Sequence, residues 1–197
     1  QLGCQIDYIS FESRPLPAAV MAQSHQAFAD LAHHSHNLIA ALPPQWPGLH
    51  RRDFLYGRLR LHLIYGDAND ALAKADFVAD AWFLDGFTPA KNPQLWNQDL
   101  LTAISRLTRA GGSFATFTVA SAVRQRLSEA GFGREKRPGF GRKRDMLVGR
   151  KRAGALAPKP TAQNRKIAII GGGIAGASVA AGLMARGITP HIIDARD

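Results

Sequence analysis

Residues 80–96, DAWFLDGFTPAKNPQLW, decide the predicted fold. The apolar run 81–84 ends abruptly in Asp85 and Gly86, and a proline-containing loop follows it. A short apolar run between turn residues predicts a strand that is buried on both faces, as in a parallel sheet. Because open α/β sheets bind ligands at the carboxyl ends of their strands, Asp85 is the first candidate for chemistry.

Strands and helices are predicted to alternate on both sides of this stretch. The other predicted strands of the front part are 6–11, 58–65, 114–119, 132–137 and 146–149. The predicted helices are 18–42, 69–75, 121–130 and one that opens with Asn92 as N-cap and Pro93 in its first position. The apolar stripe along one face of that last helix consists of Trp96, Leu100, Ala103, Ile104 and Leu107. Gly111-Gly112 is predicted to end the helix. The alternation favours a doubly wound α/β sheet.

Composition limits the classes to which this chain can belong. The 197 residues include 46% hydrophobic residues, and no apolar run reaches 18 residues, so we expect an α/β protein without a membrane span. A single cysteine, Cys4, excludes an internal disulfide framework and fits a cytoplasmic location. The His33, His34 and His36 spacing does not predict a metal site. Lys and Arg total 25 against 15 acids, and the net charge of +10 predicts a polyanionic partner, nucleic acid before membrane.

Two domains are predicted, 1–152 and 166–197, joined by the Ala/Pro-rich linker 153–165. The second domain opens with an apolar strand, 167–170, followed by a glycine-rich turn and a helix of small residues. This order predicts a nucleotide-binding βαβ unit.

Four residues of that βαβ unit are candidate cofactor ligands. Gly171 permits the tight turn, Gly173 lets the backbone approach a pyrophosphate, and Gly176 lets the helix pack on the strand. Asp194 follows 18 residues later and would accept hydrogen bonds from the adenosine ribose. Local sequence separates FAD from NAD poorly.

Three acids follow three strands of the first domain: Glu12, Asp67 and Asp85. A carboxylate in that position is the usual ligand of a ribose hydroxyl, which suits S-adenosylmethionine as well as dinucleotides. Acids after strands are also common helix caps, and for Asp67, which Asn69 follows, both interpretations stay open. Function is favoured for Glu12 and more strongly for Asp85, because the predicted N-cap Asn92 lies seven residues beyond Asp85.

Three long motifs carry a more specific resemblance. They are 80–96, GGSFATFTVASAVRQRLSEAGF at 111–132 and KRPGFGRKRDMLVG at 136–149. Together they resemble the methyltransferase domain of the MnmC family of bifunctional bacterial tRNA-modifying enzymes, and the glycine turn after a short linker matches that family's domain order. The resemblance implies a class I S-adenosylmethionine-dependent methyltransferase followed by the opening βαβ of an FAD-dependent oxidoreductase domain.

The resemblance also implies two reactions on the wobble uridine of tRNA. The flavin domain would oxidatively remove the carboxymethyl group of 5-carboxymethylaminomethyl-2-thiouridine, and the methyltransferase domain would methylate the resulting 5-aminomethyl-2-thiouridine to 5-methylaminomethyl-2-thiouridine. Carried over by motif, Glu12 would hold the ribose hydroxyls of the methyl donor and Asp67 would lie by the adenine. Asp85, with Gly86 beside it in the donor site, would stand at the reacting amine.

A basic block fits the tRNA partner that the resemblance implies. Residues 134–152 contain nine basic side chains against two acids, Glu135 and Asp145. The block members predicted able to contact phosphates are Arg134, Lys136, Arg137, Arg142, Lys143, Arg144, Arg150, Lys151 and Arg152. Of these, Arg137, Arg142, Lys143 and Arg144 are the leading candidates, together with Lys91 from the loop after Asp85. The alternative is a solvated hairpin and linker.

We expect the chain to be a fragment of the bifunctional enzyme. The first strand and glycine-rich loop of the methyltransferase would precede Gln1, and most of the flavin domain would follow Asp197. The piece is then expected to bind the methyl donor weakly and not to hold FAD. Two other functions stay open: a flavin- or NAD-dependent oxidoreductase with an N-terminal substrate domain, and a basic nucleic-acid-binding module without enzymatic activity.

Overall fold

The computed structural model describes residues 5–86, 88–139, 141, 144–153, 167–185 and 188–194. Contacts divide the chain into two compact units, 1–158 and 159–197. Apart from Ala153, the predicted linker 153–165 lies outside the described residues. Within the described residues, no helix is long and apolar enough to cross a membrane.

Strands alternate with helices over most of the first unit, as predicted. Its strands are β1 (Ile6–Glu12), β2 (Gly48–Phe54), β3 (Leu59–Tyr65), β4 (Ala79–Phe83), β5 (Thr108–Thr116), β6 (Phe132–Pro138) and β7 (Asp145–Lys151). Its helices are α1 (Ala18–His25), α2 (Ala32–Ala40), α3 (Ala68–Lys74), α4 (Gln98–Leu107) and α5 (Ser121–Glu129). Short 3-10 turns occupy Ala29–Leu31, Leu55–Gly57 and Pro93–Trp96.

The strands form two mixed sheets. The three-stranded sheet has the order β1-β3-β2 and the four-stranded sheet the order β4-β5-β7-β6. The β1–β3 and β4–β5 pairs are parallel, whereas β2, β6 and β7 pair antiparallel to their neighbours. In the described part of the chain, β1 and β4 each pair on one side only, so each leaves one edge open.

The core lies between the four-stranded sheet and helices α3, α4 and α5. The side chains that are almost completely buried there include Leu101, Leu107, Val123, Leu127, Phe132 and Leu147. The predicted stripe of α4 faces this core, with Trp96, Leu100, Ile104 and Leu107 buried. Trp82 packs beside it and donates a hydrogen bond from Nε1 to Thr108 Oγ1 at 2.8 Å.

The prediction that 81–84 is buried on both faces is wrong. Trp82 and Phe114 face the core, but Ala81 is exposed and 75% of Phe83 is accessible. The reason is that the helices packed on this sheet cover the face of Trp82, and the opposite face of β4 remains accessible.

Helix boundaries also differ from the predictions. The segment 18–42 is two helices separated by a 3-10 turn, and neither α1 nor α2 contains a buried residue. Asn92 makes no capping hydrogen bond, since Pro93 opens a 3-10 turn. The N-cap of α4 is Asn97, whose Oδ1 accepts from Leu100 N at 2.7 Å.

Strand β2 and the start of β5 were not predicted. Strand β2 contains adjacent Arg51 and Arg52 and lacks an apolar alternation, so only its antiparallel pairing with β3 defines it. Helix α4 ends at Leu107, before the glycines Gly111 and Gly112, because Thr108 already has extended dihedral angles (φ −94°, ψ 133°). Both glycines lie inside β5.

The second unit is a single βαβ. It consists of β8 (Ala168–Ile170), α6 (Ile174–Met184) and β9 (His191–Ile193), with β8 and β9 parallel. The glycine-rich turn connects β8 to α6, as the sequence predicts.

Candidate active site

Glu12 and Asp67 lie at one edge of the three-stranded sheet. Glu12 is the last residue of β1 and pairs in register with Tyr65, the last residue of β3. Gly66 N donates to the carbonyl oxygen of Glu12 at 3.0 Å, which places the turn to Asp67 directly beside the end of β1. The Glu12 side chain is exposed, and its Oε1 accepts from Arg14 N at 2.7 Å.

Asp67 caps helix α3. Its Oδ1 accepts from Asn69 N at 2.7 Å and from Asn69 Nδ2 at 3.1 Å. These hydrogen bonds to the ionised form lower the pKa of the Asp67 carboxyl. Of the two interpretations that the sequence left open, the capping one is therefore present in the structure, and the predicted place of Asp67 beside an adenine stays a prediction.

Tyr65 pairs with Glu12 and was not among the candidate site residues predicted from the sequence. Its side chain is 8% exposed, and its ring centroid lies 5.1 Å from that of His50. Burial raises the pKa of the Tyr65 phenol, and the Glu12 carboxylate raises it further while Arg52 opposes the shift. The only available signal was its position immediately before Gly66 and Asp67.

Two asparagines link the end of β3 to the start of α4. Asn97 Nδ2 donates to Asn69 Oδ1 at 2.9 Å, and Asn69 in turn donates to Asp67. The Asn97 Oδ1 is occupied by Leu100 N. This chain of hydrogen bonds ties the residue after β3 to the helix that follows the Asp85 loop, although the two strands belong to different sheets.

Asp85 stands at the carboxyl end of β4, next to an apolar pocket. The β4–β5 pairing extends to Leu84, whose N donates to Ala115 O at 2.9 Å, and Asp85 follows with an exposed side chain. A pocket of about 230 Å³ adjoins it and is lined by Phe83, Leu84, Asp85, Ala115, Thr116, Phe117 and Met146. The carboxylate therefore meets solvent on one side and mainly apolar groups on the other.

Gly86 lets the Asp85 loop pack closely against the 3-10 turn that precedes α4. A Cβ at Gly86 would lie 3.1 Å from Leu95 Cδ1 and 3.6 Å from the Trp96 ring. A larger residue would push this loop away from the core. Phe87, the next residue of the loop, lies outside the described residues.

Comparison with known proteins shows the family to which this chain belongs. Residues 29–152 match the model of a family described as S-adenosyl-L-methionine-dependent methyltransferase, which is more than half of the chain. The chain belongs to this methyltransferase family. The region of the match covers β2 to β7 and includes both Asp67 and Asp85.

One solved structure gives a closer likeness. The crystal structure of MNMC2 from Aquifex aeolicus is 26% identical to this chain, with a TM-score of 0.58. The alignment covers 79% of this chain and 46% of that one, so the chain spans less than half of the MNMC2 protein. The methyltransferase is thus MnmC-like, with the mixed α/β, Rossmann-like fold of these enzymes.

More distant methyltransferases align at lower scores. The antibiotic-resistance methyltransferase Kmr is 13% identical, with a TM-score of 0.43, and covers 78% of this chain and 89% of that one. The N-methyltransferase NodS from Bradyrhizobium japonicum WM9 is 9% identical, with a TM-score of 0.39, and covers 80% and 88%. Structural similarity this low supports no inference about the function of this chain.

The basic block is only partly available to a ligand. Lys151 is 2% exposed and donates from Nζ to Ser105 O at 2.6 Å and Thr108 O at 2.9 Å, so its predicted phosphate contact is wrong. Arg137 is exposed but pairs with Glu135 at 2.9 Å, which raises the pKa of Arg137 and lowers that of Glu135.

The other nucleic-acid candidates divide between described and undescribed residues. Lys91 and Arg144 are exposed, and Arg142 and Lys143 lie outside the described residues. Among the described side chains, no group of three or more His, Cys, Asp or Glu could hold a metal ion.

The glycine turn of the second unit has the geometry that its pattern requires. Gly171 adopts φ +99°, and a Cβ at Gly176 would lie 1.9 Å from Gly171 O, so both positions need glycine. Gly173 is the N-cap of α6. Asp194, directly after β9, accepts from Gly172 N through Oδ2 at 2.5 Å, which brings the predicted ribose ligand to the glycine turn.

Proposed function

We propose that the first unit transfers a methyl group from S-adenosylmethionine to the primary amine of 5-aminomethyl-2-thiouridine in tRNA. The observation that carries this proposal is the Asp85 carboxylate beside an apolar pocket at the end of β4 in an MnmC-like methyltransferase. The motifs at 80–96, 111–132 and 136–149 support the substrate through their resemblance to the MnmC family, and the net charge of +10 suits a polyanion.

The chemistry explains why an acid and an apolar wall belong together. A primary alkylamine is mostly protonated near pH 7 and must present a neutral lone pair before it forms a bond to carbon. Asp85 is placed to orient the amine and accept its proton, but its negative charge alone would favour the ammonium form. Phe83, Phe117 and Met146 oppose that preference because apolar surroundings disfavour the charged amine.

Residues at the strand ends would hold the methyl donor, which supplies the electrophilic methyl group. Glu12 would accept hydrogen bonds from the ribose hydroxyls, and its exposed side chain at the end of β1 suits that task. The buried Tyr65 phenol beside it would support the position of the carboxylate. Asp67 would lie by the adenine and Gly86 in the donor site.

The open edges of β1 and β4 support the expectation of a further strand. Each of these strands pairs on one side only among the described residues. We propose that the first strand of the methyltransferase, with its glycine-rich loop, pairs with both edges in the whole protein and joins the two sheets. The donor site would then include that loop.

Exposed cations of the first unit would contact tRNA. Arg137 and Arg144 lie at the β6–β7 hairpin and Lys91 in the loop after Asp85. Arg142 and Lys143, which lie outside the described residues, are proposed tRNA contacts as well. The ion pair between Arg137 and Glu135 is fully exposed, so a phosphate can compete with Glu135 for the guanidinium.

The second unit would be the start of a fused FAD-dependent oxidoreductase domain, with domain bounds of 1–152 and 166–197. Gly171, Gly173 and Gly176 would form the cradle of the FAD pyrophosphate, and Asp194 would accept from the adenosine ribose. FAD would supply the oxidation that removes the carboxymethyl group of 5-carboxymethylaminomethyl-2-thiouridine. The competing function, an oxidoreductase with an N-terminal substrate domain, is disfavoured because 29–152 match a methyltransferase.

Exchange of Asp85 for asparagine tests the proposed reaction. Asp85→Asn removes the proton acceptor but keeps the shape, so methyl transfer to tRNA carrying 5-aminomethyl-2-thiouridine should fall by about 100-fold or more. The measurement is incorporation of labelled methyl groups into that tRNA, beside equilibrium dialysis of labelled S-adenosylmethionine, which should be unaffected.

Asp80→Asn is the matched control, because Asp80 lies near the other end of β4 and pairs with Arg109 at the surface. It should transfer methyl groups at the wild-type rate. Equal rates for Asp85→Asn and Asp80→Asn would remove Asp85 from the reaction. These measurements use the whole protein, which includes the proposed first strand and glycine-rich loop. A whole protein that binds the donor but methylates no tRNA amine would show the proposed substrate to be wrong.

A further inference from the structure

The turn between β2 and β3 has an unusual backbone. Leu55, Tyr56 and Gly57 adopt φ values of 52°, 56° and 80° in succession. Among the described residues, Leu55 and Tyr56 are the two non-glycine residues with positive φ. The left-handed conformation forces Cβ against the following carbonyl oxygen, and such strain clusters at binding sites.

Hydrogen bonds hold this strained turn in place. Gln5 Nε2 donates to Gly57 O at 3.1 Å, and Ile6 N donates to Arg58 O at 2.8 Å. Arg58 N closes the turn by donating to Leu55 O at 3.2 Å. The segment Leu55–Arg58, called the hairpin tip below, is therefore a fixed projection of the three-stranded sheet.

The hairpin tip presents an aromatic ring and a cation to solvent. Tyr56 is 108% exposed, which is complete exposure, and Leu55 is 61% exposed. The exposed Arg58 guanidinium makes no hydrogen bond or ion pair with any described residue. By contrast, Arg51 pairs with Asp53 and Arg60 with Asp7, and Arg52 donates to the backbone carbonyl oxygens of Ala41 and Arg51. Among the described arginines of this hairpin, only Arg58 therefore has its guanidinium directed to solvent without such a contact.

We propose that the hairpin tip binds a single-stranded segment of the RNA substrate, with a base stacked on Tyr56 and a phosphate against Arg58. Aromatic side chains beside arginine are the usual platform for unpaired bases. The net charge of +10 favours RNA over a protein partner at this surface. This inference rests on the proposed function, which supplies the RNA.

The distance between the tip and the proposed donor site at the other end of β3 limits the kind of RNA. The tip precedes β3, whereas Asp67 follows it, and a seven-residue strand spans roughly 20 Å. A single nucleotide cannot reach both ends. A folded RNA such as a stem with its loop can, so the tip would select a structured substrate and not the modified base itself.

Anisotropy of a fluorescein-labelled 17-nucleotide anticodon stem-loop tests the proposal on the full chain. Tyr56→Ala should weaken binding by about tenfold and leave the salt dependence unchanged, because stacking is not ionic. Arg58→Ala should lower the slope of log affinity against log salt by roughly 0.7 to 0.9. Tyr56→Phe keeps the ring and should bind as wild type. Phe28→Ala, which removes another exposed aromatic ring, should also bind as wild type.

Tyr56→Gly separates recognition from structure. Glycine adopts positive φ without strain, so this variant should unfold at a higher urea concentration than wild type while it binds the stem-loop as weakly as Tyr56→Ala. A purely structural Tyr56 would give no loss of RNA affinity in either variant, and that result would overturn the proposal.

Three further outcomes are informative. Self-association of the wild-type chain that Tyr56→Ala abolishes, with RNA affinity intact, would assign the tip to a second copy and overturn the RNA proposal. A wild-type chain that binds no stem-loop would overturn both this inference and the tRNA substrate. Unaltered RNA affinity in Tyr56→Ala beside normal methyl transfer would overturn the inference alone.

Discussion

The two sheets of the first unit differ in how they are buried. Around the four-stranded sheet, residues of α4, α5, β6 and β7 are almost completely inaccessible, among them Leu101, Leu127 and Phe132 at 0% exposure. Around the three-stranded sheet, α1 and α2 bury no residue, and Leu61 and Tyr65 are its buried hydrophobic side chains in the described part. Stability should therefore reside mainly in the four-stranded half, whereas both halves contribute acids to the proposed site.

The largest expected contrast comes from leucine truncation in the two halves. Leu101→Ala removes a completely buried side chain from α4 and should lower the free energy of unfolding by about 3 kcal/mol. Leu31→Ala, at 54% exposure beside α2, is the matched control and should change it by less than about 0.5 kcal/mol. Urea unfolding followed by circular dichroism measures both, and comparable losses would mean that the halves are equally stabilising.

A smaller loss of stability is expected from the hydrogen bonds that link the three-stranded half to the four-stranded half. Asp67→Ala removes the cap of α3 and the first member of the hydrogen-bond chain to Asn97, and should cost about 1 kcal/mol. Because the folded-state pKa of Asp67 lies below its unfolded value, the contribution is present above the unfolded pKa and is lost as pH falls through the folded one.

The measurement is the difference in urea midpoint between wild type and Asp67→Ala from pH 7 down to pH 2.5. Asp85→Ala serves as the control, since Asp85 is exposed and caps no helix, and its stability should match wild type. A difference for Asp67→Ala that stays constant over this pH range would show that the carboxylate charge is not what caps α3.

The smallest effect concerns the buried lysine of the four-stranded half. Burial lowers the pKa of Lys151 in the folded protein, so the unfolded chain binds more protons between the folded pKa and the ordinary value of 10.5. The cost of burying the ammonium is fully present below that window, and stability should rise as pH increases through it.

The raised pKa of Tyr65 changes stability with pH in the opposite direction, but it does so equally in wild type and in Lys151→Met. The difference between the two proteins therefore isolates the contribution of Lys151. The difference between their urea midpoints should change between pH 8 and pH 10.5, in favour of wild type at the higher pH. A difference that is independent of pH would mean that Lys151 titrates alike in the folded and unfolded states.

Patterns confined to one element were predictable from the sequence. The stripe of α4 follows from helical spacing, and all but its partly buried Ala103 are buried. The need for glycine at 171 and 176 follows from the turn that connects β8 to α6. The end of β4 just before Asp85 also follows, because an acid and a glycine after an apolar run favour a turn over a continued strand.

Features that depend on contacts between distant segments were not predictable. Asn92 and Asn97 are equally suitable as helix N-caps by residue type. In the structure Asn97 caps α4, and it also donates a hydrogen bond to the distant Asn69. Strand β2 has no apolar alternation and exists through its pairing with β3. Lys151 belongs to a basic run by sequence, yet it is buried against the end of α4.

The sequence by itself determined most of the alternation of strands and helices, the acids after three of the strands and the resemblance to a methyltransferase family. These depend on local periodicity and on motifs that a linear chain displays. The tertiary structure alone decided which acid caps a helix, which lysine is buried and which tyrosine is held out to solvent in a left-handed turn. Those outcomes depend on burial and hydrogen bonding between residues far apart in the chain, which residue type and spacing do not specify.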